Sequence, residues 1–260
     1  MNNRGVSKPE IDEVRRETCG TTLVVTVDRQ HRRNAIDGRT ADALEAALDA
    51  FEGDDALRVM VVTGAGGKAF CAGADLTAIE TLGPRITSAG GPLGFTRRTP
   101  AKPVIAAVDG WAVAGGLELA LWADLRICSP ASKFGCLERR WGVPLIDGGT
   151  WRLPRIVGQG RALDLIITGR IIDADEALSI GLITTITNDP LAAAIAIAET
   201  IAEFPQETML ADRASAYSGW SLSQADALEA EMRRGIPTIA AGMDGAARFT
   251  AGAGRSGSRI

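Results

Sequence analysis

The stretch KPVIAAVDGWAVAGGLELALWADLRIC, residues 102–128, decides the fold. Its VIAAV segment at 104–108 is a short unbroken apolar run, the pattern of a strand buried on both faces. Asp109-Gly110 breaks that run. Two glycines, Gly115 and Gly116, then precede a series of good helix formers, so residues 115–123 read as a helix. LRIC at 125–128 returns to the buried-strand pattern. Strand, helix and strand in this order argue for α/β crossover units around a parallel sheet.

Working outward, RVMVVT at 58–63 is a second buried strand, running into the glycine-rich loop GAGGKAFCAGADL at 64–76. Residues 13–17 and 21–28 are β-rich runs around Cys19-Gly20, which suggests a hairpin. From 40 to 51, Leu44, Ala47, Leu48 and Phe51 recur at helical spacing. A further helix is expected over 75–82, with Asp75 near its N-cap. Residues 83–102, rich in Gly, Pro and Thr, read as a mobile loop or broken helix, a common seat for substrate-binding elements. Beyond Gly149 the patterns are helical, at 160–168, 174–179, 190–204, 222–234 and 238–249, with one strand at 182–186. Residues 1–12 read as a disordered lead-in, 13–200 as the body, and 201–260 as a helical region that packs on the body or on another subunit.

At 260 residues the chain can bury one large core. A net charge of -4 sets up no field that would gather nucleic-acid phosphates. Cys19, Cys71, Cys128 and Cys136 form no CxxC pair, and with a single histidine no zinc pattern exists. The cysteines read as reduced thiols of a cytoplasmic protein. The polar, charged start has no apolar signal core, and Asp109 and Glu118 interrupt the longest apolar region, which argues against a membrane span.

Several residues are of the right type for chemistry. Glycine at Gly115 and Gly116 permits a close approach by ligand or backbone, and a helix starting there turns unpaired N–H groups and its positive dipole end toward whatever lies above. The same pair also fits plain strand-to-helix packing. Gly73 in FCAGADL is placed to bend the chain so that the Ala74 N–H faces a pocket, or simply to open the next helix. Glu118 stands among Leu117, Leu119, Ala120, Leu121 and Trp122, where a carboxylate is either paired in a buried salt bridge or faces a cavity. Glu138 is flanked by Arg139 and Arg140, and an ion pair with one of them is the plain alternative to a catalytic role. Two other signals are weak. Residues 64–69 fit a loosened G-x-G-x-x-A dinucleotide fingerprint, but CAG follows at once and leaves no room for the required helix. Cys71 has no base near it in sequence, since the only histidine, His31, is remote.

Taken together, these segments resemble the crotonase, or enoyl-CoA hydratase/isomerase, family. RRNAID at 32–37, FCAGADL at 70–76, the 102–128 stretch, Phe134-Gly135, and Gly148-Gly149 followed by WRLPRIVG carry the resemblance. It implies an α/β spiral of ββα units whose helical C-terminal region makes a homotrimer or a dimer of trimers. It also implies an oxyanion hole from the N–H groups of Ala74 and Gly115, and catalysis by Glu118 and Glu138. His31, Arg32, Arg33, Ala72, Asp75, Leu76 and Phe249 are implied contacts to coenzyme A, although His31, Arg32 and Arg33 read equally as an exposed basic turn. The implied reaction is hydration of a 2-trans-enoyl-CoA in fatty acid β-oxidation. The acyl-CoA is substrate and partner, and no metal, other cofactor, nucleic acid or membrane is involved. The runners-up are a Δ3,Δ2-enoyl-CoA or dienoyl-CoA isomerase and a non-catalytic acyl-CoA-binding subunit. Some positions depart from the pattern. Leu137 and the Arg139-Arg140 pair replace a proline and an apolar pair around Glu138. Asp147 lies one position from an aspartate used by dienoyl-CoA isomerases of the family, which makes it a further acid candidate. Thr77 replaces a lysine that commonly contacts coenzyme A.

Overall fold

In a computed structural model, residues 13–252 are described; the expected lead-in at 1–12 and the last residues of the 201–260 region lie outside them. The hairpin forms as β1 (Val14–Cys19) and β2 (Thr22–Val27), antiparallel and joined through Gly20 at φ +59°. Helix α1 (Gly38–Gly53) follows, capped by the Asp37 carboxylate on the Thr40 N–H.

The chain then winds through three similar turns. Each turn supplies one strand to a large sheet and the next strand to a small one: β3 (Val59–Gly64) then β4 (Ala69–Cys71), β5 (Val104–Val108) then β6 (Trp111–Val113), and β7 (Leu125–Cys128) then β8 (Lys133–Gly135). The large sheet runs β1-β2-β3-β5-β7 and ends on β10 (Thr185–Ile186), while the small sheet runs β4-β6-β8 and ends on β9 (Ile172–Asp173). From β2 to β10 the large sheet is parallel, as the continuous apolar runs require. Val25, Val27, Met60, Val62, Val104, Ala106 and Val108 pack into the main core with Leu44, Leu48 and Phe51 of α1. The alternate residues Val24, Val59, Val61, Ile105, Ala107 and Ile127 pack on Ala194 and Ala198 of α6 (Pro190–Glu203) on the other face.

Helix α2 (Gly115–Trp122) is apolar apart from Glu118 and is buried from Gly116 to Trp122. The remaining helices are α3 (Gly149–Val157), α4 (Gln159–Thr168), α5 (Ala174–Ser179), α7 (Gln206–Gly219), α8 (Gln224–Gly235) and α9 (Ile239–Thr250). Helices α7 to α9 contain no buried residue, and Leu228, Met232, Ile236, Ile239, Met243 and Phe249 stand exposed on or between them. No helix of the described residues is long and apolar enough to cross a membrane.

Two expectations change. The helix expected at 75–82 is a 3-10 segment, Leu76–Arg85, kinked at Ala78. Asp75 does cap it, accepting from the Thr77 N–H at 3.0 Å. The 83–102 segment is also well packed: residues 90–96 are all buried. Gly94 at φ +104° lies against the Ala41 carbonyl of α1, where a β-carbon would meet the oxygen at 2.4 Å.

Candidate active site

A cavity of about 450 Å³ opens between the 3-10 segment Leu76–Arg85 and a second one, Leu137–Trp141. Ala72, Ala74, Leu76, Gly115, Glu118, Glu138 and Asp147 all line it, together with a mostly apolar surface that includes Ile79, Leu82, Ile86, Leu93, Trp141 and Val143. Few convergent polar groups in an apolar cleft are the usual make-up of a small-molecule site.

One side of the cavity is backbone. Gly73 adopts φ +88°, and a β-carbon there would lie 2.8 Å from the Gly115 nitrogen. A β-carbon on Gly115 would lie 3.6 Å from the Ala74 nitrogen, so the two peptide groups are neighbours. Among the described residues neither N–H donates to a protein acceptor. The hydrogen bonds around them go elsewhere: Asp75 N donates to the Ile36 carbonyl at 2.8 Å, and Leu117 N to the Ala114 carbonyl at 2.9 Å. Ala114 holds φ +52° and ψ -129°, a conformation costing a residue with a β-carbon about 1–3 kcal/mol. That strain sits at the start of α2, where it sets the direction of the Gly115 N–H. At Gly116 a β-carbon would fall 1.9 Å from the Cys71 carbonyl oxygen, so glycine is also required for packing.

The other side is side chains. Among the described residues Glu118 meets no cation; its Oε1 accepts from the N–H groups of Asp147 at 2.9 Å and Gly149 at 2.8 Å. Gly149 must be glycine, because a β-carbon would meet Glu118 Oε1 at 2.9 Å. The second oxygen, Oε2, has no partner among the described residues, so a proton on Glu118 belongs there. Burial, then the nearby Asp147 carboxylate, push Glu118 up to about 8 despite the two peptide donors, and Glu138 adds to the rise. Glu138 is buried with both carboxylate oxygens unpaired. Its flanking arginines are engaged elsewhere: Arg139 donates to the Ile166 carbonyl and Arg140 to that of Gly169. The ion pair weighed for Glu138, like the buried salt bridge weighed for Glu118, is therefore not formed. Burial raises Glu138 as well, partly offset by the charge of Arg139. Both acids face one cavity, and the charge of Glu138 is among the causes that raise Glu118.

Asp147 is buried and raised by burial, with hydrogen bonds from Thr96 and Leu93 opposing the rise. Cys71 is a buried thiol pushed up to about 12, chiefly by burial, which leaves it no thiolate character.

Five of the implied coenzyme A contacts do not line the cavity wall itself. Asp75 is spent on capping and on Arg29, whose Nη1 lies 3.2 Å from Asp75 Oδ2. His31 and Arg32 lie on an exposed 3-10 turn, Gln30–Arg32, that ends at Arg33. Arg33 adjoins the cavity through its backbone, its carbonyl accepting from the Ala72 N–H at 3.1 Å. Phe249 is exposed on α9. Thr77 donates to Asp75 at 2.7 Å. Sequence reasoning missed the Gly149 N–H, Thr96 and Arg152 as supports of the acids; Gly148-Gly149 before an arginine was the available signal.

Residues 17–241 match the enoyl-CoA hydratase/isomerase family. A probable enoyl-CoA hydratase of Mycobacterium tuberculosis is 39% identical over 198 residues, 74% of this chain and 76% of that protein. A short-chain-enoyl-CoA hydratase of Clostridium acetobutylicum is 39% identical over 181 residues, covering 68% and 69%. The crystal structure of an enoyl-CoA hydratase from Mycobacterium marinum superposes with a TM-score of 0.87 at 34% identity, covering 92% of this chain and 96% of that one.

Proposed function

The chain belongs to the enoyl-CoA hydratase/isomerase family and has its crotonase fold, and from this footing we propose that it hydrates the double bond of a 2-trans-enoyl-CoA thioester. The observation that carries the reading is the pairing, on one cavity, of two N–H groups without acceptors and two carboxylates without cations. As water adds at Cβ, negative charge grows on the thioester oxygen. The Ala74 and Gly115 N–H groups, with the dipole of α2 behind the second, stabilise that enolate; removing one such donor typically costs about 10²–10³ in rate. Glu118 and Glu138 share one proton. One carboxylate takes a proton from the attacking water and the other delivers one to Cα. The scheme calls for no metal or redox cofactor, and coenzyme A enters with the substrate.

Oligomerisation follows the same reading. The exposed apolar residues of α8 and α9 would be covered in a homotrimer or a dimer of trimers, with Phe249 then available to a neighbour's coenzyme A; light scattering of the purified protein tests the assembly. The basic turn at His31, Arg32 and Arg33 lies beside Ala72, where it would meet the phosphate end of coenzyme A. A cytoplasmic location and a role in fatty acid β-oxidation complete the reading.

The deciding experiment is an assay of loss of the conjugated double bond over a panel of enoyl-CoA chain lengths, with a 3-enoyl-CoA included. Hydration without isomerisation is expected. Isomerisation of the 3-enoyl-CoA without hydration would instead assign an isomerase, and tight binding with no turnover would assign an acyl-CoA-binding subunit.

A further inference from the structure

Asp147 is an acid by type, yet one of its carboxylate oxygens and both of its peptide groups are already committed to the protein. Its Oδ1 accepts from the Leu93 N–H at 3.1 Å and from the Thr96 hydroxyl. Its own N–H donates to Glu118 Oε1 at 2.9 Å, and its carbonyl accepts from Arg152 Nη1 at 2.9 Å. Arg152 reaches on through Nη2 to the Thr96 carbonyl at 2.6 Å. Gly148, at φ +101°, leaves room for that guanidinium, since a β-carbon would lie 2.2 Å from Nη1. Arg97 donates to the Ile146 carbonyl at 2.9 Å and the Ile86 carbonyl at 2.7 Å, and both isoleucines line the cavity. Leu93 and Ile86 line the apolar part of the cavity. The segment that shapes the acyl pocket is thus stitched to the loop that holds Glu118, and Asp147 bonds to Leu93 and Thr96 on one side and to Glu118 on the other.

We infer that Asp147 is a positioning residue, joining the acyl-pocket wall at Leu93 and Thr96 to the Glu118 carboxylate, so that displacing that wall misaligns the acid–base pair. The inference rests on the reading of Glu118 as a reacting acid. It predicts that the side chain of Asp147 acts through Glu118 in two ways. By hydrogen bonding it fixes where its own N–H points. By its charge it holds the Glu118 proton in place, within a set of neighbours that also includes Glu138, Cys136 and Arg152 around Glu118, and Arg97, Arg152 and Cys71 around Asp147.

The test compares Asp147→Asn, Asp147→Ala and Glu118→Gln in the full-length protein. Infrared titration of the protonated carboxyl stretch, assigned by its loss in Glu118→Gln, follows the pair whatever thioester is turned over. The upper midpoint of the pair should fall in Asp147→Asn, because a neighbouring negative charge is gone while an acceptor for Leu93 and Thr96 remains. Hydration by Asp147→Asn should stay within about tenfold of the parent. Asp147→Ala should lose about 10²-fold, in kcat rather than KM, the scale of a small misplacement of reacting groups. Thr96→Val, which keeps the charge but cuts one stitch, should lower kcat severalfold and serves if Asp147→Ala does not fold. An unmoved midpoint in Asp147→Asn overturns the inference. So does an Asp147→Asn as inactive as Glu118→Gln, which would make Asp147 a reacting acid. Failure of the parent enzyme to hydrate any enoyl-CoA would strike the functional proposal and leave the midpoint comparison readable.

Discussion

The two sides of the cavity are built from different material. Around Ala74 and Gly115 the candidate groups are peptide N–H, beside Gly73 at φ +88° and Ala114 at φ +52°. Around Glu118 and Glu138 they are side chains, one anchored by two peptide donors and one without a partner. On the first side, chemistry depends on what the neighbours allow the backbone to do, so side-chain identity matters only where a β-carbon intrudes. On the second, chemistry depends directly on residue type. That contrast makes opposite predictions for substitutions a few ångströms apart.

The largest effect is expected on the side-chain wall. Glu118→Gln and Glu138→Gln should each cut hydration by about 10²–10⁴, the usual span of general acid–base catalysis, with folding intact by circular dichroism. If one of them stays active while a 3-enoyl-CoA is isomerised, a single-acid isomerase replaces the hydratase. Gly73→Ala comes next. Its β-carbon would press on the Gly115 nitrogen at 2.8 Å and its φ would be strained, so kcat should fall by about 10². Ala74→Ser, which leaves the N–H in place, should cost little in the same steady-state assay. Equal losses in both would dissolve the distinction between the walls.

A third effect is on pH dependence. Because Glu118 is raised to about 8, the pair keeps its proton at neutral pH and loses it as pH climbs through that value. Hydration should fall on the alkaline side of about 8, read from kcat/KM over a pH series. The smallest effect concerns stability. A carboxyl raised from 4.5 to about 8 favours the folded state most at acidic pH, and that contribution is lost as pH rises through the folded value. Glu118→Gln should therefore gain a few degrees in Tm over the parent at pH 9 and less at pH 5. A gain of the same size at both values would mean that burial is not the cause.

The sequence carried much of this fold, and its failures have physical reasons. The long apolar runs and the strongly periodic helices, α1, α4, α5 and α6, appear within a few residues of where the pattern puts them. The small sheet was not legible. β4, β6 and β8 are three residues each, too short for any period to show, and they exist because successive turns of the chain stack. Helix α3 was hidden by Gly149 at its start and Pro154 inside it, and α7 by a sequence with weak amphipathicity and no buried face. The 83–102 segment read as loop because its order comes from distant partners: Leu93, Thr96 and Arg97 bond to residues 146–147, about fifty positions along.

What residue order alone determined was the parallel α/β core, the residues able to do acid–base chemistry, and the glycines able to free a peptide N–H, since periodicity and residue type are local properties. Whether Glu138 would be neutralised by Arg139 or left bare, and whether Asp147 would stand apart or bond to Leu93, Thr96 and Glu118, were settled by tertiary packing. Those outcomes depend on which carbonyls lie within reach of an arginine and which donors within reach of a carboxylate, and such distances arise only when remote segments meet.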